Sequence, residues 1–121
     1  MAFENINEVQ ERELHLLWTN ADPMTAEYMV FMYAENSMLN HWWDKVTVIC
    51  WGAVQPLIIH DPHIRELIRK LQSEGVQFSA CLTCSDKLGL TEKLQELGIE
   101  TVRWGKRTSE LMQNRKHLLS V

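Results

Sequence analysis

The sequence contains few cysteines and no long apolar run. Both features limit the classes of protein to which the chain can belong. Its three cysteines, Cys50, Cys81 and Cys84, cannot all pair within one chain. No apolar stretch approaches the roughly 20 residues that span a bilayer. Residues 1–8 lack the basic segment followed by an apolar segment that marks a signal peptide. We therefore expect a cytoplasmic protein, not associated with a membrane, whose thiols stay reduced.

Basic residues are scarce as well, with 12 Lys and Arg against 16 Asp and Glu and a formal net charge of −4. A nucleic-acid partner is not expected, because such partners bind a basic face. Neither G-x-G-x-x-G nor G-x-x-x-x-G-K-S/T occurs, so no phosphate-binding loop and no cofactor are predicted. The length of 121 residues suits a single domain over residues 1–121, in which residues 1–12 are a polar leader.

Short apolar segments alternate with helical segments along the chain. The predicted strands cover residues 14–18, 46–51, 76–80, 99–104 and 117–121. Asp22-Pro23 and Asp61-Pro62 each combine a helix N-cap with proline at the first helical position. Residues 53–60, which contain Pro56, are expected to be irregular. Regular strand–helix alternation predicts a mainly parallel sheet with helices on both faces, a three-layer α/β/α domain.

The helix that begins at Pro23 is more apolar than a helix that packs on one side of a domain. Its large side chains fall on nearly every face: Met24, Tyr28, Met29, Val30, Phe31, Met32 and Tyr33. In a chain this short, such a helix favours a subunit interface. The alternative is a helix packed centrally in a monomer.

Cys81 and Cys84 form a C-x-x-C pair where the third predicted strand turns into a helix. The positive end of a helix dipole and the free N–H groups of a first turn favour the reactive thiolate. Chemistry in parallel sheets lies outside the C-terminal ends of the strands. Aromatic and small residues mark the other strand ends and predict a pocket around the thiol: Trp18, Asn20, Trp51, Gly52 and Trp104. Alternatively, these tryptophans cap the core or fill an interface.

Several roles for the cysteines can be compared. One alternative is that Cys81 and Cys84 are inert and buried, since free cysteine is often buried. Cys50, inside an apolar strand, is expected to belong to the core. A thioredoxin-like dithiol needs a cis-proline later in the chain, whereas all three prolines precede Cys81. A zinc site needs four ligands and one C-x-x-C supplies two, so no metal is expected. Sulfur transfer through a persulfide remains, and it needs an accessible, low-pKa cysteine beside an apolar wall.

Several segments, in this order and spacing, resemble the DsrE/DsrF-like proteins, which include sulfur-relay subunits of the TusD type. The similarity extends from about Leu14 to Val121. It is carried by residues 44–52 and 71–84, by Lys87-Leu88-Gly89, by residues 94–99 and by residues 108–111.

This resemblance implies a five-stranded, mainly parallel sheet in three layers, and assembly into trimers or hexamers. In sulfur-relay members a cysteine after the third strand, eight residues before a glycine, accepts persulfide sulfur. Cys81 matches that position relative to Gly89, and Cys84 is an additional residue that could act as a resolving partner. We expect a sulfur carrier that uses Cys81, with a protein as sulfur donor or acceptor. The alternative is a non-catalytic oligomeric protein that binds a small ligand or a partner at the same edge.

Overall fold

The computed structural model describes residues 10–121, so most of the predicted leader, residues 1–12, lies outside the described residues. Five strands form one sheet in the order β4-β3-β2-β1-β5, and every neighbouring pair is parallel. The mainly parallel sheet predicted from the sequence is confirmed. The strands are β1 (Glu13–Trp18), β2 (Lys45–Cys50), β3 (Gln77–Cys81), β4 (Glu100–Val102) and β5 (His117–Ser120).

Six helices, counted over residues 10–121, connect the strands. Helix α1 consists of three consecutive segments, Pro23–Thr25, the π-helical Ala26–Phe31 and Met32–Leu39. The others are α2 (Val54–His60), α3 (Pro62–Ser73), α4 (Leu82–Leu88), α5 (Thr91–Glu96) and α6 (Trp104–Gln113).

Both predicted Asp-Pro helix starts are confirmed. The Asp22 carboxylate accepts a hydrogen bond from the Thr25 N–H at 2.9 Å, and the Asp61 carboxylate accepts from His63 and Ile64 at 3.0 and 3.2 Å. A short side-chain acceptor at this position satisfies N–H groups that have no partner within the helix.

The expectation that residues 53–60 are irregular is wrong, because they contain helix α2. Pro56 lies in the first turn of that helix, where its missing N–H removes no intrahelical hydrogen bond. A proline therefore does not exclude a helix that begins two residues before it. The short helix matters for the site, since it brings Gln55 to the ends of β2 and β3.

The fourth strand is also shorter than expected. It ends at Val102, and Trp104, predicted at a strand terminus, begins helix α6. Its indole N–H donates to the Ser79 hydroxyl at 2.8 Å, so the ring lies against β3.

The two faces of the sheet carry two separate apolar clusters. The larger contains Leu16, Val48 and Ala80 from the strands, together with side chains from α1, α2, α3 and α5. The smaller contains Ile49, Cys81 and Trp104, with partly buried side chains packed against it. Helices therefore cover both faces, as the three-layer prediction requires. Among residues 10–121, no helix is both long and apolar enough to cross a membrane.

Candidate functional site

The C-x-x-C pair lies at the junction of β3 and α4, as the sequence predicts. Cys81 is the last residue of the strand and the N-cap of the helix, and Cys84 lies in the first turn. Ser85 secures that turn, because its hydroxyl donates to the Leu82 carbonyl at 3.0 Å and lies 2.8 Å from the Thr91 hydroxyl. Both thiols are free.

The two thiols share one apolar environment but differ in exposure. Cys81 belongs to the smaller cluster with Ile49 and Trp104, while Cys84 and Trp51 pack against it. The sequence argument expected an accessible Cys81, yet its side chain is buried, with 4% exposed. Cys84 is partly exposed. A reagent from solvent therefore meets Cys84 first.

The structure thus brings together Trp51, Trp104 and both cysteines from the predicted site. Gly52 follows Trp51 at the end of β2, and its backbone N–H acts to lower the pKa of Cys84. Gly52 has a φ of +74°, a conformation in which glycine is favoured.

Trp18 and Asn20, also predicted to line the pocket, do not reach the thiols. Trp18 is fully buried in the larger cluster, with its ring edge-on to Phe31 at a centroid distance of 5.1 Å. Its indole N–H donates to the Asn20 carbonyl at 2.9 Å.

The physical reason is the alternation of side chains along a strand. In the parallel register Trp18 pairs with Cys50, whereas the residue before it, Leu17, pairs with Ile49. Trp18 therefore points to the face opposite Ile49 and Cys81. Sharing an edge of the sheet does not mean sharing a face.

Charge and burial set the pKa values of two thiols in the described part of the chain. Burial raises the pKa of Cys50 far above its usual range, in keeping with its predicted core role. Burial is also the main cause that raises the pKa of Cys84, and the neighbouring Cys81 side chain adds to it. The Gly52 N–H and the Lys87 ammonium act in the opposite direction. The low thiol pKa expected at this junction is thus not present at Cys84.

Gln55 is a site residue that sequence reasoning missed. Its side-chain amide is completely buried and donates to the carbonyl of Cys50 at 3.0 Å and to that of Cys81 at 3.1 Å. It therefore ties the end of β2 to the end of β3 directly behind the cysteine. A single glutamine in a segment expected to be irregular carries no sequence signal for this role.

Other missed residues form the apolar wall. Alternation within the predicted strands could have identified Leu17, Ile49 and Leu118, which lie on the same face as Cys81. Within residues 10–121, no group of three or more His, Cys, Asp or Glu side chains is placed to hold a metal ion.

Comparison with solved structures places this arrangement among known folds. The ychN protein from E. coli superposes with a TM-score of 0.69 at 10% identity, covering 93% of this chain and 100% of that one. The ychN fold is DsrE/TusD-like, so the fold of this chain resembles that class of protein. Comparison with family models found no match, and neither did comparison with curated proteins.

A second solved structure is much more similar. BT1422, a conserved protein of unknown function from Bacteroides thetaiotaomicron, superposes with a TM-score of 0.87 at 30% identity. The match covers 91% of this chain and 95% of that one. The chain belongs to the same family as this Bacteroides protein.

Proposed function

We propose that the protein is a DsrE-like sulfur carrier of the cytoplasm, which accepts sulfur as a persulfide at the Cys81–Cys84 pair. The observation that carries the proposal is the pairing of a buried and a partly exposed thiol in one aromatic-walled cluster. Trp51 and Trp104 shield the sulfur from water and oxidants, which a persulfide requires. A reducing compartment keeps both thiols available.

The resemblance assigns the persulfide to Cys81, whereas the exposure of the two side chains assigns loading to Cys84. In either case the sulfur donor and acceptor, which we propose to be other proteins, must approach the side of α4 on which Cys84 lies. The Gly52 N–H acts to lower the pKa of Cys84, which favours negative charge on that sulfur.

The test is uptake of sulfur measured by intact mass. After incubation with a persulfide donor, at least one of the single variants Cys81→Ser and Cys84→Ser should carry one added sulfur atom, and the double variant Cys81→Ser/Cys84→Ser should carry none. Cys50→Ser, which removes a thiol buried on the other face, is the matched control and should behave as wild type. Uptake that persists in the double variant would refute the proposal.

A second candidate function is a non-catalytic protein that binds a partner or a small ligand at this edge. The burial of Cys81 and the raised pKa of Cys84 favour it, because both slow thiol chemistry at neutral pH. It predicts no sulfur uptake, and thiols that react no faster than free cysteine.

We also propose that the protein assembles into a homo-oligomer, a trimer or a hexamer, through helix α1. Met24, Tyr28 and Met32 follow one another at intervals of four residues, and all three are exposed. Tyr28 and Met32, together with Phe31 and Leu67, line a groove between α1 and α3, and Glu27, Glu35 and Lys70 line the same groove. Exposed apolar stripes with a polar rim are typical of protein interfaces.

A further inference from the structure

The difference in exposure between the two thiols suggests an order of events. Cys84 is partly exposed, while Cys81 is buried, with 4% of the residue exposed. A persulfide donor must bring its outer sulfur into line with the attacking thiolate, and this is possible only at a thiol with an open approach. The position that takes sulfur from outside is therefore Cys84.

The two cysteines also lie in one cluster at one end of a helix. Cys84 packs against the cluster that contains Cys81. Cys81 is the N-cap of α4 and Cys84 lies in its first turn, so the two thiols are three residues apart in the chain. A disulfide needs Cβ atoms about 3.5–4.5 Å apart, and we expect the two side chains to approach each other to that distance when the bond forms.

The burial of Cys81 determines which sulfur of a persulfide on Cys84 its thiol can reach. Cys81 packs with Ile49 and Trp104 in the buried cluster, so we expect its sulfur to reach Cys84 from the protein side. We expect the outer sulfur of a persulfide on Cys84 to project towards the exposed side, from which the donor approaches. From the protein side, the inner sulfur, which is the Cys84 sulfur itself, is the nearer target.

Resting on the proposed function, we infer that Cys84 accepts the sulfur and that Cys81 then expels it as sulfide, so the pair reduces sulfane sulfur. In the first step the Cys84 thiolate attacks the outer sulfur of a low-molecular-weight or protein persulfide. The bond between the two donor sulfurs breaks, a persulfide forms on Cys84, and the donor leaves as a thiol. The proton from Cys84 goes to that leaving group.

In the second step the Cys81 thiolate attacks the Cys84 sulfur. The Cys81–Cys84 disulfide forms, the bond to the outer sulfur breaks, and the outer sulfur leaves as hydrosulfide. Two electrons pass from the cysteine pair to that sulfur, which is thereby reduced. A dithiol reductant restores both thiols by exchange.

The experiment uses the full chain, reduced and freed of reductant, with one equivalent of glutathione persulfide. Wild type and Cys50→Ser should each release about one equivalent of sulfide above the background of the Cys81→Ser/Cys84→Ser double variant. Intact mass should show the loss of two hydrogens. Cys81→Ser should stop after the first step, with one added sulfur located at Cys84 by peptide mapping and no sulfide above background.

Other results would overturn the inference, and they separate it from the proposed function. A stable sulfur adduct on wild-type protein without sulfide would leave a sulfur carrier but exclude reduction by the pair. An adduct on Cys81 in Cys84→Ser that forms as fast as the Cys84 adduct in Cys81→Ser would exclude Cys84 as the first acceptor and still leave a sulfur carrier. No sulfur on any variant, Cys81→Ser included, would refute both. Far-UV circular dichroism and thermal midpoints of each variant exclude misfolding as the cause.

Discussion

The side-chain amide of Gln55 donates to the carbonyl oxygen of Cys81 at 3.1 Å, and the same nitrogen donates to Cys50 at 3.0 Å. One buried side chain thus connects two strand ends at the point where the chain must leave the sheet. The chain leaves β3 at Cys81, where helix α4 begins. Gln55 acts on the thiol through the backbone and is a positioning residue.

We expect Gln55→Leu to lower the free energy of unfolding by about 1–3 kcal/mol, because two buried carbonyls lose their donor. Urea unfolding measures this. Gln113→Leu, at an exposed position on α6, is the control and should change stability by less than about 0.5 kcal/mol. Equal effects of the two substitutions would show that the Gln55 hydrogen bonds contribute nothing.

Trp104 controls access to Cys81. Trp104→Phe removes the N–H donated to Ser79 and leaves a gap beside the thiol, so we expect alkylation of Cys81 by iodoacetamide to accelerate several-fold. Peptide mass mapping measures the rate at each cysteine. In wild type the expected order is Cys84, then Cys81, then Cys50.

The matched control for Trp104→Phe is Trp42→Phe, at an exposed tryptophan outside the cluster. It should leave all three rates unchanged. If Trp104→Phe also leaves the Cys81 rate unchanged, the aromatic wall does not shield the thiol.

His15 and His63 make the free energy of unfolding depend on pH in opposite directions. Burial lowers the pKa of His15, with Glu13 opposing and Lys45 supporting the shift. As the pH falls below about 6.5, the unfolded chain takes up this proton first, so His15 makes the protein less stable in acid. Glu27 raises the pKa of His63, so its contribution is complete below about pH 6.5 and is lost as the pH rises through the raised value.

Urea unfolding at about pH 5.5 and about pH 8 separates the two histidines, since neither pH reaches the titration of ordinary carboxylates. His15→Gln should be less sensitive to acid than wild type, and His63→Gln more sensitive. The same pH dependence in wild type and His15→Gln would contradict the assignment of a buried neutral imidazole.

A single charged substitution tests whether the exposed stripe of Met24, Tyr28 and Met32 on α1 is a subunit interface. We expect wild type to elute from gel filtration well above monomer mass, and Met32→Glu to shift it towards the monomer, because a carboxylate buried in an apolar interface is costly. Met112→Glu introduces the same charge at a methionine that is more exposed, 58% against 45%, but lies on α6. It should leave assembly unchanged, and monomeric wild type at micromolar concentration would refute the interface.

The architecture could be predicted from the sequence because strand–helix alternation and helix capping depend on residues that are close together in the chain. Asp22 and Asp61 each act on N–H groups within the next three residues, and the apolar segments are spaced as strands in a parallel sheet. The C-x-x-C position followed from the same local pattern.

The wrong or missing predictions concern residues whose surroundings are set by the tertiary structure. Trp18 was assigned to the site because it ends a strand, but register and alternation send it to the other face. Likewise, nothing local shows that Cys81 becomes more buried than Cys84, since that depends on where α6 places Trp104. The hydrogen bonds of Gln55 join residues up to 26 positions apart, beyond any sequence window.

The position of β5 in the sheet has a consequence for how the protein folds. Strands β1 to β4 are added in chain order on one side, whereas β5 returns to pair with β1, and the bond from Thr19 to Val121 spans 102 residues. Closing so long a loop is slow, so we expect β5 to dock last during refolding. Until it docks, β1 presents its unpaired backbone to solvent, and this transient species is where intermolecular strand pairing and aggregation would begin.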